Sequence, residues 1–347
     1  MARTSIQPDG GHEKRRLCSR HRTASGNVTA LSLVRLDVSR VTQREELRWR
    51  ALRKVQPTRK ASRTFAMKIA VTGSSGTVGK EVVDLCIADG HQVVQIDLAQ
   101  PTSSSDSEVK IVDMASDYHG FVDALRGCDA LVHLAAIPNP VNRLDATVHN
   151  NNVSAAFNGF RACGELGLTR IAYASSINAI GLSYSNQARH FAYLPIDEAF
   201  PPRLTDAYAL AKAEAELQAQ SLADWFPGTR IACLRIHEVA PRTAVAAEHA
   251  VDWEGAAVGQ LFGWVHPRAV ARACLAAIEQ ADDYEGAQVF NIAAPNTAQE
   301  APSLELARKY FPDAEIRGDW GEGNGNVSFW TTDKAERVLG WKHHELE

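Results

Sequence analysis

Nowhere in its 347 residues does this chain reach the roughly 20 consecutive apolar residues that a membrane-spanning helix needs. Its N-terminus has no charged start followed by an apolar stretch, so a secretory signal is not expected either. Cysteine is scarce and scattered: Cys18, Cys86, Cys128, Cys163, Cys233 and Cys274 stand far apart, with no Cys-x-x-Cys pair among them. That spacing lacks the usual patterns of a disulfide framework and of a metal site, and the thiols are expected to be free and buried, in a reducing compartment. There is no internal repeat. What remains is a soluble globular composition, 45% hydrophobic and 22% charged, enough for one large domain with a small appendage.

Acidic residues are also scarce, but only at one end. Residues 1–66 hold 16 Lys and Arg against 5 Asp and Glu, leaving 21 basic and 36 acidic residues for the rest, so the net charge of −4 conceals a basic arm on an acidic body. With few aromatics (Trp49, Phe65) and no strand alternation, residues 1–66 are expected to be disordered. Three readings compete: a targeting presequence, a polyanion-binding tail, or an extension with no role in the fold. Asp9, Glu13, Asp37, Glu45 and Glu46 are more acids than an import presequence usually carries. A basic tail without a folded reader binds nucleic acid only nonspecifically. The third reading is adopted, with no specific nucleic-acid partner, no membrane partner and a cytoplasmic location; import through the arm is the minority reading.

The most informative stretch follows that arm. A strand pattern at 68–72 runs into Gly73, Gly76 and Gly79, and then into a helix that places Val78, Val82, Leu85 and Cys86 on one face and stops at Gly90. In that context the glycines make a dinucleotide-binding turn: Gly73 for the tight turn, Gly76 for close approach to a pyrophosphate, Gly79 for close helix packing. The free N–H groups of the helix start would face the phosphates. Asp97 ends the next strand, 18 residues after Gly79, near the offset of about 20 at which a carboxylate accepts bonds from the adenosine ribose. Leu98 and Ala99 follow and would not neutralise a 2′-phosphate, so the cofactor expected is NAD rather than NADP.

Strand and helix patterns then alternate: strands at 92–96, 109–112, 130–134, 170–174, 230–234 and 288–292, helices at 117–125, 146–166, 206–225 and 267–280. The expected fold is α/β, a doubly wound and mostly parallel sheet of the Rossmann kind, with a small C-terminal substrate-binding portion. Residues 67–347 would form it, the substrate portion coming mainly from 236–265 and 295–347. Such sheets bind ligands beyond the C-terminal ends of their strands. Those positions hold the glycine loop, Asp97, Asp113, Ala135 with Ala136, and Ser175 with Ser176.

Tyr208 and Lys212 lie four residues apart on one helical face. Alone, such a pair is ordinary surface decoration. Beside a phenol, however, an ammonium favours phenolate, which would lower the tyrosine pKa from its usual value of about 10 and make it a usable base. Ser176 would orient the substrate oxygen. Glycine loop, strand-end acid, strand-end serines and this pair occur in the order one mechanism needs.

Over about 67–342 the sequence resembles the extended short-chain dehydrogenase/reductase family, in its NAD-dependent epimerase/dehydratase branch. The resemblance rests on Gly73, Gly76 and Gly79, on Asp97 and Asp113, on His133 to Ala136, on Asn152 and Val153, on Ser176, on the 195–202 run, and on Tyr208 with Lys212. It implies Ser176, Tyr208 and Lys212 as catalytic residues, the last two also touching the cofactor. It further implies NAD contacts from Ser75, Thr77, Val78, Met114, Leu134, Ala135, Ala136, Asn152 and Ser175. The run from Arg235 to Pro241 departs from the nucleotide-sugar enzymes, lacking their Asn and Gly, and the segment to Trp264 is short. That compact plan is similar to the family's uronate dehydrogenases. Ser176, His237, Glu238 and Arg242 are expected to face substrate; Phe191 and Tyr193 are read as loop packing, and His343 with His344 as solvated rather than metal-binding.

The expected activity is NAD-dependent oxidation of a secondary hydroxyl of a sugar, uronate or related polyol, a small-molecule substrate. Alternatives are a nucleotide-sugar epimerase or dehydratase that reduces NAD transiently, a non-catalytic NAD sensor or scaffold, and a nucleic-acid-binding protein acting through the arm. A homodimer is possible by the same resemblance. Met67 stands directly before the first strand, so a chain begun there is expected to fold and to bind NAD; calorimetric titration of that truncated chain checks this, and loss of binding would refute it.

Overall fold

The computed structural model describes residues 66–101, 107–187, 190–320 and 325–345; the basic arm and the disorder expected of it lie outside them, as does Cys18. Seven strands form one sheet in the order β3-β2-β1-β4-β5-β7-β8, every neighbouring pair parallel. They are β1 (Lys68–Thr72), β2 (Gln92–Asp97), β3 (Glu108–Ile111), β4 (Ala130–His133), β5 (Arg170–Ser176), β7 (Arg230–Ile236) and β8 (Ala287–Ile292). The order reverses between β1 and β4, so the crevice of a doubly wound sheet opens above their C-terminal ends.

Successive strand residues face opposite sides, and here both sides are covered. Ile69 and Val71 of β1 join one core with Val82 and Val83 of α1 (Thr77–Ala88) and Val270 and Cys274 of α6 (Pro267–Glu279). Ala70, between them, joins the other core with Phe121 of α2 (Tyr118–Leu125), Phe160 of α3 (Asp145–Leu166) and Leu222 of α4 (Ala207–Trp225). Fully burying a side chain of this kind contributes about 1.5–3 kcal/mol. The five described cysteines are free and buried within these layers.

Helix ends follow local chemistry. Asp117 caps α2 through the Gly120 amide, and Asp206 caps α4 through the Ala209 amide at 2.7 Å. His266 caps α6, its ring accepting from Arg268 N. The edge strand β3 starts one residue earlier than the apolar pattern suggests. Glu108 is held there by Lys68 and Lys110, and Val112 lies beyond the strand with its side chain buried.

A third core builds the smaller portion. It combines Ile177, Leu194 and Phe200 with Phe262, Phe311 and Trp330, so residues 177–200 contribute beside the expected 236–265 and 295–347. A two-stranded parallel pair, β6 (Tyr193–Leu194) with β9 (Glu315–Ile316), joins these distant segments. Helices α5 (Arg242–Val251), α7 (Ser303–Tyr310) and α8 (Asp333–Leu339) were not read from the sequence. Phe191 packs edge-on against Phe311, in agreement with the loop-packing reading. His343 departs from expectation: it is packed against Trp264, accepts the His266 amide, and is held neutral by burial, its pKa lowered to about 4.

One buried relay ties β1 to β4. The Thr72 hydroxyl accepts the Leu134 and Ala135 amides, each at 3.1 Å, and lies 2.6 Å from His133 Nδ1. His133 Nε2 reaches Ala155 O on α3 at 2.9 Å. Burial lowers the imidazole pKa to about 4, so the ring is neutral and the chain of donors and acceptors closes. Thr72→Val would strand the Ala135 amide and His133 Nδ1 and is expected to cost about 2 kcal/mol; urea denaturation measures this, and a variant as stable as the parent would contradict it.

Candidate active site

The glycine loop leaves β1 above the sheet. Gly73 has φ +65°, and a Cβ there would lie 3.0 Å from Ala135 N. A Cβ on Gly79 would lie 2.2 Å from Gly73 O, so α1 could not approach the loop with any side chain at that position. Gly76 is different: its added Cβ would meet only Gly73 O, at 3.3 Å, which leaves open space where a phosphate would approach. The buried Ser75 hydroxyl has no hydrogen-bond partner among the described residues. Asp97 holds the loop from below, accepting the Ser75 amide at 2.8 Å and the Leu98 amide at 2.7 Å.

On one side of this loop lies a cavity of about 160 Å³, bounded by Gly73, Asp97, Asp113, Met114, Ala135 and Ala136. Asp113 is acidified mainly by the Ser116 hydroxyl. On the other side lies a larger crevice of about 450 Å³, which shares Ala136 and includes Val78, Leu134, Ser175, Ser176, Tyr208 and Lys212. The structure thus brings these sequence-predicted residues to two hollows that meet at one alanine. Thr77 and Gly76 lie exposed at the helix start between β1 and α1, and neither Ser75 nor Asn152 lines either hollow. Asn152 is corrected: it is buried and engages both backbone polar groups of Ile137, so it shapes the loop after β4, and its neighbour Asn151 is the residue lining the smaller cavity.

Helix α4 presents Tyr208, Lys212 and Glu216 one turn apart on its buried face. Tyr208 and Ser176 line the same crevice, and the Ser176 hydroxyl accepts the Asn178 amide at 3.1 Å. Lys212 Nζ donates to Ala174 O at 2.6 Å and stands 5.8 Å from the centre of the Tyr208 ring. Glu216 holds Arg235 through two bonds, 2.9 and 2.8 Å, and accepts the Ser175 hydroxyl at 2.6 Å. Ser175 therefore turns its hydroxyl to Glu216 while still lining the crevice.

The electrostatics differ from expectation in one respect. Burial pushes the Tyr208 pKa up, and the nearby Ser176 hydroxyl only partly opposes this, so proximity of Lys212 does not by itself give a low pKa. Lys212 is shifted as well: burial lowers it from 10.5 to about 8, with Glu216 opposing.

At the far end stand His237 and Glu238. His237 is buried, held neutral with a pKa lowered to about 4, and both ring nitrogens are used, Nε2 on Gln260 O at 3.0 Å and Nδ1 on the Glu238 amide at 2.7 Å. It forms wall but has no free nitrogen for a substrate, which corrects its expected role; Glu238 does line the crevice. Arg242 is corrected too: it clamps Thr297 O, Gln299 O and Glu300, outside the crevice. Asn178, Tyr184, Glu248 and Gln260 line the crevice without having been found in the sequence. They come from a loop, a short helical turn and α5, whose placement no spacing announces. Tyr184 stands edge-on to Tyr208, ring centres 5.8 Å apart.

No helix among the described residues is long and apolar enough to cross a membrane, and no group of three or more His, Cys, Asp or Glu among them is placed to hold a metal. Residues 69–293 match the model of the NAD dependent epimerase/dehydratase family, and the chain belongs to that family. Among the described residues, the open Gly76, the Ser75 hydroxyl without a hydrogen-bond partner and Asp97 without a salt-bridge partner fit the NAD of that family's name. Over 162 residues it is 30% identical to an L-arabinose 1-dehydrogenase (NAD(P)(+)) of Haloferax volcanii, and over 159 residues 27% identical to an NAD-dependent glucose-6-phosphate dehydrogenase of the same organism. These matches cover 45% and 43% of this chain and span only 61% and 60% of the relatives' own length. A solved mutated uronate dehydrogenase shares the fold, with TM-score 0.57, 21% identity and coverage of 81% of this chain and 82% of that one.

Lys212 is charged below its pKa and neutral above it, and the Glu216 carboxylate favours the charged form. Its ammonium is therefore expected to titrate near 8 by NMR of labelled lysine, and lower in Glu216→Gln; titration above 10 would contradict the burial described.

Proposed function

We propose that the chain is an NAD-dependent oxidoreductase that oxidises a secondary hydroxyl of a sugar, uronate or related polyol. The observation that carries this reading is the meeting of Ser176, Tyr208 and Lys212 in the lining of one crevice. Gly73, Gly76, Gly79, Ser75, Thr77 and Val78 would cradle the pyrophosphate side, Asp97 the adenosine ribose, and Asp113 and Met114 the adenine side. NAD, when bound, supplies the hydride acceptor and a cationic ring that favours a nearby phenolate.

Ser176 orients the substrate oxygen toward Tyr208, and the Tyr208 phenolate takes the hydroxyl proton. Lys212, held by Ala174 O, keeps a positive charge near the phenol and would hold the nicotinamide ribose. Glu216 sustains that charge from one helical turn away. The crevice walls, Val78, Leu134 and Ile236 among them, limit water around the reacting atoms. We also infer a homodimer through α3 and α4, whose Phe157, Leu210 and Leu217 are exposed.

Tyr208→Phe is expected to lower turnover by about a thousandfold, in line with loss of a general base, while NAD still binds. Stopped-time NADH absorbance with a panel of free sugars, uronic acids and UDP-sugars tests both points. Turnover surviving the substitution would defeat the assignment, and net NADH release separates oxidation from the epimerase or dehydratase alternative.

A further inference from the structure

The substrate end of the crevice is acidic, and its acids are held in place. Glu238 lines it from the segment after β7, with a side chain about 17% exposed, and Glu248 lines its rim from α5. Helix α5 is fixed at both ends. Arg242 clamps the 297–300 segment at its start, and near its end the fully buried His249 takes the Gln299 amide on Nδ1 at 2.8 Å. With Nδ1 accepting, His249 Nε2 carries its proton toward Glu238 Oε2, 3.7 Å away. Both atoms are buried and neither has a hydrogen-bond partner among the described residues. The two carboxyl groups sense one another: Glu238 is the chief cause of the raised pKa of Glu248.

Against these acids the crevice offers little positive charge. Among the described residues that line it, Lys212 is the one lysine or arginine, and its ammonium is bonded to Ala174 O beside Tyr208. His237 is neutral and fully bonded. A carboxylate or phosphate on the substrate would thus face two carboxyl groups without a guanidinium or ammonium to receive it, an arrangement that costs binding energy in a partly desolvated site. A donor pair, either vicinal hydroxyls or an ammonium next to a hydroxyl, would satisfy them.

We propose that Glu238 and Glu248 select substrates that present hydrogen-bond donors and no negative charge at this end, so that an uncharged sugar or polyol, or its amino counterpart, is accepted and uronates and phosphorylated sugars are rejected. This rests on the oxidoreductase reading for the site and narrows it, removing the uronate from the class.

The test uses galactose, galactosamine and galacturonate, and the matching glucose series, with the full chain, Glu238→Gln, Glu248→Gln and the double variant. In the wild type, kcat/KM for NAD reduction should favour the uncharged or amino sugar over the uronate by about tenfold or more, and the double variant should lose most of that ratio through a lower KM for the uronate. An amino sugar that gains over its hydroxyl parent in the wild type and not in the double variant identifies the ammonium as the recognised donor; equal use of both identifies the hydroxyls. Preference for the uronate, or a ratio unmoved by the double variant, overturns the proposal. The same sugars are titrated calorimetrically into Tyr208→Phe protein saturated with NADH, a readout independent of turnover. Discrimination by charge there, without oxidation of any sugar by the wild type, upholds the selection and defeats the redox reading. Binding without discrimination, or no binding of any sugar, overturns the selection itself.

Discussion

The buried relay from Ala155 through His133 to Thr72 is the constraint on which the site depends. It joins α3, β4 and β1 and fixes the Leu134 and Ala135 amides where both hollows begin. The ring must be neutral for this to work, with one nitrogen accepting and the other donating, and complete burial enforces that state. Gly159 belongs to the same constraint, since a Cβ there would lie 2.9 Å from the His133 ring. Polar atoms at the floor of the crevice are thereby satisfied internally, and the upper surface of the loop stays open to a ligand.

From that floor, helix α4 adds a graded row of chemistry. Tyr208 lines the open crevice, Lys212 lies one turn on against β5, and Glu216 one turn further, paired with Arg235 of β7. A buried ion pair contributes little net stability but leaves a costly unpaired charge if one partner is lost. Here it also orients the Ser175 hydroxyl and biases Lys212 toward its charged form. The phenol at the top of the row is governed instead by desolvation, which explains why proximity of an ammonium, inferred from i,i+4 spacing, did not translate into an acidic tyrosine in the protein alone.

The parallel sheet was legible because its strands and helices carry their own periodicity and stops, such as the Gly90 turn, the Asp117 and Asp206 caps and the apolar runs of β1, β4 and β7. The positions of the residues expected to hold the cofactor were legible for a related reason: they sit at strand ends, where the fold delivers them. The lining of the far end of the crevice was not. Glu248 and Tyr184 enter through α5 and the loop before β6, and their position depends on contacts with residues far away in sequence, such as Gln299 for α5. Arg242 and His237 illustrate the opposite failure, polar residues near the site whose bonds go to backbone groups, and for Arg242 also to Glu300, rather than into the crevice. Asn152 was placed one residue from the lining position because a helix turns by a large angle at every step, and its neighbour Asn151 faces the cavity instead.

The β6–β9 pairing bears on how the protein comes together in time. Its two strands lie more than a hundred residues apart, and the aromatic core beneath them draws on segments equally remote. Closing such loops is entropically slow, whereas most pairings of the main sheet join strands that follow one another in the chain. The glycine-loop half of the sheet can therefore consolidate while the portion built on the third core is still being gathered from its distant segments.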